Sequence, residues 1–336
     1  MAEYSYSSQP DPEFAPFVEA FKFDPPLRSF DPVTRRAKYN DLFIKGGTKA
    51  YASRQPKDTE YCVADHQVAV HNGSIVVRSY IPVTEPASTF PLLVWMHSGG
   101  WTDGDIRVDD QLLRAICVES QITTVNVEYR LAPEHPYPTG LNDSYAAVKW
   151  AAESASRLSV DLKKGFVVGG ASAGANLSAV VAHRARDDAF FKANQLTGQL
   201  LQIPAVVHPE AVPEKYKPVL LSLEQNKDAP VLDRPAVDWF FEQYGGAPTN
   251  PEVSPLLYKS HAGLPPTVLQ ICGMDLLRDE AILYNKLLQE EGVKTKMTLY
   301  PGVPHSFHPF VPTIAAAVKL EKDFSEGLKW ILDGAP

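Results

Sequence analysis

From residue 61 onward the apolar positions switch between two periods. Alternation with period two over 61 to 70 and 74 to 81, broken at Asn72-Gly73, predicts a hairpin. The run Leu92-Leu93-Val94-Trp95-Met96 leaves no wet face, so it suits a central parallel strand covered on both sides. Further strand patterns lie at 122 to 129, 166 to 170, 200 to 207, 267 to 272 and 296 to 300. Helical patterns at 109 to 120, 140 to 155, 174 to 187, 277 to 291 and 312 to 332 separate them. This alternation predicts an α/β fold with a mostly parallel central sheet flanked by helices.

Two stretches fall outside the alternation. Phe14, Phe17, Val18 and Phe21 stand at helical spacing over 11 to 22, and Asp31-Pro32 reads as the N-cap and first-turn proline of a second helix ending near Lys45-Gly46-Gly47. Residues 46 to 60 read as a polar, mobile connection. Between Val207 and Pro265 the pattern lapses among Pro213, Pro218, Pro230, Pro235, Pro248, Pro251 and Pro255, with helical spacing only near 217 to 226 and 235 to 244. The expected division is 1–45 as the N-terminal helical part of a cap, 46–207 as the first part of the core, 208–262 as a cap insertion and 263–336 as the second part of the core.

Composition narrows the classes. A chain of 336 residues supports one large domain with an attached subdomain. Its net charge of −8 comes with no basic run longer than Arg35-Arg36, which argues against a nucleic-acid partner. The first residues lack a basic and apolar leader, and no apolar stretch approaches about 18 residues, so the expectation is a cytoplasmic protein without stable membrane anchoring. Cys62, Cys117 and Cys272 sit in apolar patterns without metal-ligand spacing, which predicts three buried, reduced thiols and no metal. Asn72-Gly73-Ser74 and Asn176-Leu177-Ser178 match the glycosylation triplet only by coincidence, the first being the hairpin turn. Monomer and homodimer are both open.

The chemistry centres on Gly170-Ala171-Ser172-Ala173-Gly174, which follows the apolar strand at 166 to 170 and opens a helix. Glycines on either side allow a sharp turn that leaves the Ser172 hydroxyl clear of the backbone. The rival reading is a small-residue turn with an inert serine. In a parallel sheet, residues at the C-terminal strand ends converge, and Asp275 and His305 follow the strands at 267 to 272 and 296 to 300. A serine hydroxyl needs an imidazole to take its proton, and the imidazole needs a carboxylate to hold its tautomer. His308 and His261 rival His305; Asp279 rivals Asp275 but is explained by the dipole of the helix it opens. His97-Ser98-Gly99-Gly100-Trp101 follows the strand ending at Met96, and its glycines allow backbone N–H groups to approach a substrate. Trp101, Trp239, Phe240 and Phe307 are the candidate substrate-pocket residues, with Phe241 as a neighbour and core packing as the alternative for these lid aromatics.

Together with Tyr129-Arg130-Leu131-Ala132-Pro133-Glu134, Asp275-Leu276-Leu277-Arg278-Asp279 and His305-Ser306-Phe307, these motifs resemble the hormone-sensitive-lipase-like family of α/β-hydrolases, in order over about residues 60 to 330. The resemblance implies an α/β-hydrolase fold and carboxylic ester hydrolysis by Ser172, Asp275 and His305 under a two-part cap. It also implies an oxyanion hole at Gly99, Gly100 and Ala173, a small-molecule ester as substrate, and no cofactor. The Tyr-Arg-Leu-Ala-Pro-Glu run is structural in that family. Two positions depart from the family pattern: Ser98 replaces a glycine and Leu276 a proline. A serine forced to positive φ at 98 costs about 1–2 kcal/mol, although the hole's donors belong to 99 and 100. An amidase or deacetylase with the same three residues, and a non-catalytic receptor on the same fold, are the alternatives.

Overall fold

A computed structural model describes residues 2–22 and 25–336. Among the described residues eight strands form one sheet: β1 (Tyr61–Val70), β2 (Gly73–Pro82), β3 (Leu92–Met96), β4 (Thr123–Val127), β5 (Phe166–Ala171), β6 (Gly198–Gln202), β7 (Thr267–Cys272) and β8 (Thr295–Tyr300). Their spatial order is β1-β2-β4-β3-β5-β6-β7-β8; β2 runs antiparallel to both neighbours and every other pairing is parallel. Val70 pairs with Gly73 across the two-residue turn His71-Asn72, one residue earlier than the Asn72-Gly73 turn expected, with Asn72 at φ 57° and Gly73 already in β2. β3, β4, β5, β6 and β7 are buried along their whole length, because helices cover both faces.

The α-helices among the described residues are α1 (Pro32–Ala50), α2 (Asp110–Glu119), α3 (Thr139–Glu153), α4 (Ala173–Asp187), α5 (Ser222–Gln225), α6 (Arg234–Tyr244), α7 (Arg278–Glu290) and α8 (Ala315–Leu332), of which α2, α3, α4, α7 and α8 pack on the sheet. Asp31 caps α1 by accepting from the backbone N–H groups of Val33 and Thr34. No helix among the described residues is long and apolar enough to cross a membrane. Asn176 is buried inside α4, where its amide donates to the carbonyls of Ala205 and Val253.

Several sequence expectations shift. The 11 to 22 segment forms two 3₁₀ turns, Ala15–Phe17 and Glu19–Phe21, since Pro16 has no N–H to continue a helix. Its apolar stripe is also incomplete: Phe14 is buried and stacks on Phe21, while Phe17 is exposed. α1 runs through Gly46-Gly47 to Ala50; a Cβ at Gly46 would stand 3.0 Å from Pro309, so close approach explains that glycine rather than helix termination. The 46 to 60 stretch is therefore held, with Tyr51 buried and Arg54 pairing with Glu119 and Glu321.

β6 stops at Gln202 instead of reaching Val207, because Ile203 takes a left-handed φ and Pro204 lacks a donor. The buried run continues off the sheet, with the N–H groups of Val206 and Val207 donating to the Glu280 carboxyl. The helix expected over 217 to 226 shrinks to α5. Cys62 lies on the exposed side of edge strand β1, so only Cys117 and Cys272 are buried.

Candidate active site

β5 ends at Ala171, and Ser172 turns the chain into α4 with φ 54° and ψ −115°. A non-glycine residue in this sparsely allowed region stores strain, held here because its neighbours leave the turn no room to relax. Neither flanking glycine has a positive φ. A Cβ at Gly170 would come within 2.4 Å of Gly174 and 2.6 Å of the Met96 carbonyl oxygen, and one at Gly174 within 2.0 Å of that same oxygen. The glycines are there to let α4 press onto the end of β3; the strained conformation belongs to the serine itself.

Ser172, Asp275 and His305 meet at the C-terminal edge of the sheet. His305 Nε2 lies 2.8 Å from Ser172 Oγ, and His305 Nδ1 lies 2.6 Å from Asp275 Oδ2. The other Asp275 oxygen accepts from the Leu277 N–H at 2.9 Å. Since a carboxylate only accepts, the Nδ1 proton donates to Asp275, and the neutral ring then presents Nε2 to the serine hydroxyl as an acceptor.

The loop after β3 supplies backbone donors. Positive φ falls on Gly99 (127°), Gly100 (58°) and Trp101 (61°), and Ser98 is not among the left-handed residues. Serine at 98 therefore bears no backbone penalty, and its hydroxyl lies 3.0 Å from that of Tyr39. The N–H groups of Gly99, Gly100 and Ala173 have no acceptor among the described residues, and all three residues line the cavity that holds Ser172. The Tyr129–Glu134 run fixes this loop from behind. Tyr129 donates its hydroxyl to the His97 carbonyl and stacks on the His97 ring, the Ala132 N–H donates to the Trp101 carbonyl, and Arg130 grips the buried Asp143. Burial holds His97 down to about 4, so its ring is neutral, with Nδ1 donating to the Ser98 carbonyl.

A cavity of about 370 Å³ opens over Ser172 and His305. Its walls come from both irregular stretches: Phe21, Leu27, Arg35, Tyr39 and Phe43 from the N-terminal side, and Leu232, Val237, Trp239, Phe240 and Phe241 from the 208–262 side. Trp101, Trp239 and Phe240 line it as expected from sequence. Phe307 does not: it is fully buried in a core cluster with Phe14, Tyr300 and Val303. Ser306, with φ 52°, occupies the cavity wall in its place, and the chain turns the next side chain inward.

The pattern defining a family described as "alpha/beta hydrolase fold" matches residues 93–309. The chain belongs to the hormone-sensitive-lipase-like α/β-hydrolases. It is 37% identical over 244 residues to versiconal hemiacetal acetate esterase of Dothistroma septosporum, covering 72% of this chain and 74% of that one. The crystal structure of vibralactone cyclase superimposes with a TM-score of 0.94 at 44% identity, covering 98% of this chain and 97% of the other. An esterase from Pyrobaculum calidifontis superimposes at 0.78 with 30% identity, over 91% and 94%. By family the protein is a carboxylesterase.

In this hydrolase the rival residues point elsewhere. His308 is buried against Glu321, which stands 3.8 Å away, and burial with the neighbouring His305 holds it down to about 3. His261 lies 3.3 Å from His183, in the body of the hydrolase. Asp279 pairs with the fully buried Arg278 and accepts the N–H groups of Leu221 and Ser222. It fastens the 208–262 stretch to α7, a larger task than the dipole role its position suggests.

Three residues of the hydrolase site carry no sequence signal. Arg35 and Tyr39 lie on one face of α1, and Asn226 donates to the Asp275 carbonyl at 2.8 Å. Only the four-residue spacing of Arg35 and Tyr39 hints that they share a surface.

Proposed function

We propose that this carboxylesterase cleaves esters of small to medium acyl chain length through an acyl-enzyme on Ser172, with His305 as general base and then general acid and Asp275 as its orienter. The single observation that carries the reading is the unbroken hydrogen-bonded chain Ser172–His305–Asp275 at the floor of a cavity. His305 Nε2 takes the Ser172 proton as Oγ attacks the ester carbonyl. The N–H groups of Gly99, Gly100 and Ala173 receive the developing oxyanion, the kind of interaction whose removal costs about 100- to 1,000-fold in kcat. The imidazolium returns the proton to the leaving alcohol, and a water activated by the same nitrogen releases the acid. A cavity of about 370 Å³ supports an acyl group of modest length. The N-terminal stretch and the 208–262 stretch act as two parts of one cap.

A fluorophosphonate tests the nucleophile. The adduct is expected on the peptide carrying Ser172, and a folded, active sample labelled elsewhere or not at all overturns the assignment. Nitrophenyl esters from acetyl to palmitoyl then set the chain length, with the maximum expected well short of palmitoyl.

One comparison favours a second reading. The likeness to vibralactone cyclase covers nearly the whole chain, including both cap stretches, and exceeds the TM-score of the esterase from Pyrobaculum calidifontis. An acyl-serine attacked by an oxygen of its own acyl chain closes a ring instead of forming an acid. Mass analysis of the products from a hydroxy-acid ester separates the two: an acid gains a water, a lactone does not.

A further inference from the structure

The cavity wall is mostly apolar, but α1 makes one part of it polar. Arg35 and Tyr39 are four residues apart on that helix and both line the cavity, Arg35 at only 2% exposure. The Arg35 Nε–H is shared between the two Asp103 carboxylate oxygens, at 2.8 and 3.1 Å. Its Nη2 meets only the Thr102 carbonyl, at 3.5 Å, an oxygen that already accepts from Arg36 Nε at 2.7 Å. Nη1 has no acceptor among the described residues. The Trp239 ring covers the guanidinium, with the ring centroid 4.4 Å from Cζ.

A second donor sits beside the first. Tyr39 and Ser98 share one hydrogen bond, so whichever hydroxyl donates, the other keeps a hydrogen that no described residue accepts. Burial pushes the Tyr39 hydroxyl far above its usual pKa, which keeps its proton in place. Ser98 directly precedes the donors at Gly99 and Gly100. This corner therefore presents N–H and O–H hydrogens that no described residue accepts, its own acceptors being hydroxyl lone pairs. A substrate oxygen facing the cavity would pair with them. Its charge follows from Asp103, which already balances Arg35: a carboxylate would bring a second negative charge to a buried pair, whereas a ketone or ester carbonyl adds none.

We infer that the preferred substrates are esters carrying a second, neutral carbonyl oxygen, received by the free guanidinium edge of Arg35 and the Tyr39–Ser98 hydroxyl pair while the scissile carbonyl occupies the Gly99–Gly100–Ala173 donors. This inference rests on the esterase reading for the reaction, but not for the recognition itself.

The test compares nitrophenyl hexanoate with its γ-oxo and δ-oxo analogues and with the carboxylate-ended nitrophenyl adipate. A parallel pair, hexyl acetate and its γ-oxo analogue, places the ketone on the alcohol side. In at least one ketone position kcat/KM is expected to exceed the parent by about tenfold or more, since a site with buried donors discriminates against an analogue that leaves them unpaired. The paired substitution Arg35→Met with Asp103→Asn, chosen so that no buried carboxylate is stranded, is expected to bring that ratio to within about threefold of unity. Equal rates for ketone and parent in both series overturn the inference, as does a preference for the adipate. Should the paired variant not fold, the wild-type panel decides alone. A binding arm separates this idea from the reaction: tryptophan quenching of Ser172→Ala by methyl δ-oxohexanoate against methyl hexanoate. Tighter ketone binding without turnover of any ester keeps the recognition and removes the esterase reading; turnover with no preference does the reverse.

Discussion

The side-chain amide of Asn226 donates to the backbone carbonyl of Asp275 at 2.8 Å, both groups buried. Asn226 also reaches the Gly273 carbonyl at 3.4 Å, so a residue of the 208–262 stretch holds the loop on which the His305 partner stands. Removing it leaves the Asp275 carbonyl only the longer Arg278 N–H bond at 3.3 Å, while the Gly273 carbonyl keeps Arg278 Nη1 at 3.0 Å. Asn226→Ala is expected to cost about 0.5–1.5 kcal/mol in urea unfolding. It is also expected to lower kcat with little change in KM, because the cavity wall is untouched and only the carboxylate's placement loosens. An unchanged kcat would show that Asp275 is positioned without this contact.

The two loop glycines should respond differently to alanine. At Gly99, with φ 127°, a Cβ would lie 2.0 Å from the Asp103 carbonyl oxygen, a backbone atom with no room to yield. Gly99→Ala is expected to cut kcat by about 100-fold or more as the donor is displaced. At Gly100 the collision is with the Phe240 ring, whose side chain can move. Gly100→Ala should lose less, and adding Phe240→Leu should recover part of the loss; equal losses at 99 and 100 would contradict this difference.

Ser98 departs from the family's glycine without backbone cost. Ser98→Gly is therefore expected to lower stability by about 0.5–1 kcal/mol, through chain entropy and the lost Tyr39 contact, and to give no gain in kcat. Thermal unfolding and a nitrophenyl ester assay suffice to check it, and a large rise in kcat would place strain at 98 after all.

Glu280 sets a pH dependence of stability. Burial, with Asp275 and Asp279 pushing the same way, raises its carboxyl to about 8 despite the N–H groups of Val206 and Val207. The folded chain thus holds this proton more tightly than the unfolded one. The stabilisation is complete below an unfolded value of about 4.3 and is lost as pH rises through about 8. Glu280→Gln, which keeps an acceptor but cannot ionise, should flatten this decline. Urea midpoints at mildly acidic, neutral and mildly alkaline pH measure it; parallel wild-type and variant curves would show that Glu280 does not titrate in this range.

The cysteines give a simple count. Cys62 is exposed, whereas burial pushes the Cys117 and Cys272 thiols well above the usual range. One thiol should react with a thiol-specific colorimetric reagent in the native protein and three after denaturation. Rapid native labelling of more than one would mean that the covering helices open readily.

Much of the fold was legible because period-two and 3.6-residue patterns are local signals. The central strand Leu92–Met96 and the hairpin at Asn72-Gly73 need no knowledge of distant partners. Ser172, Asp275 and His305 could be grouped because a parallel sheet brings strand ends together whatever the chain separation. Arg35 and Asn226 could not, since their partners lie 68 and 49 residues away and no period links them. Proximity in sequence misled at Phe307, two residues from His305 but turned inward after the left-handed Ser306. Cys62 shows the opposite limit: alternation reveals that a strand has two faces, yet an edge strand can leave its apolar-looking residues in water.

The contact between Gly46 and Pro309 joins the helix that roofs the cavity to the segment that follows His305. Because Gly46 lets this helix and that segment approach without an intervening side chain, a bulkier residue at 46 is expected to push them apart and shift His305 together with the cavity wall.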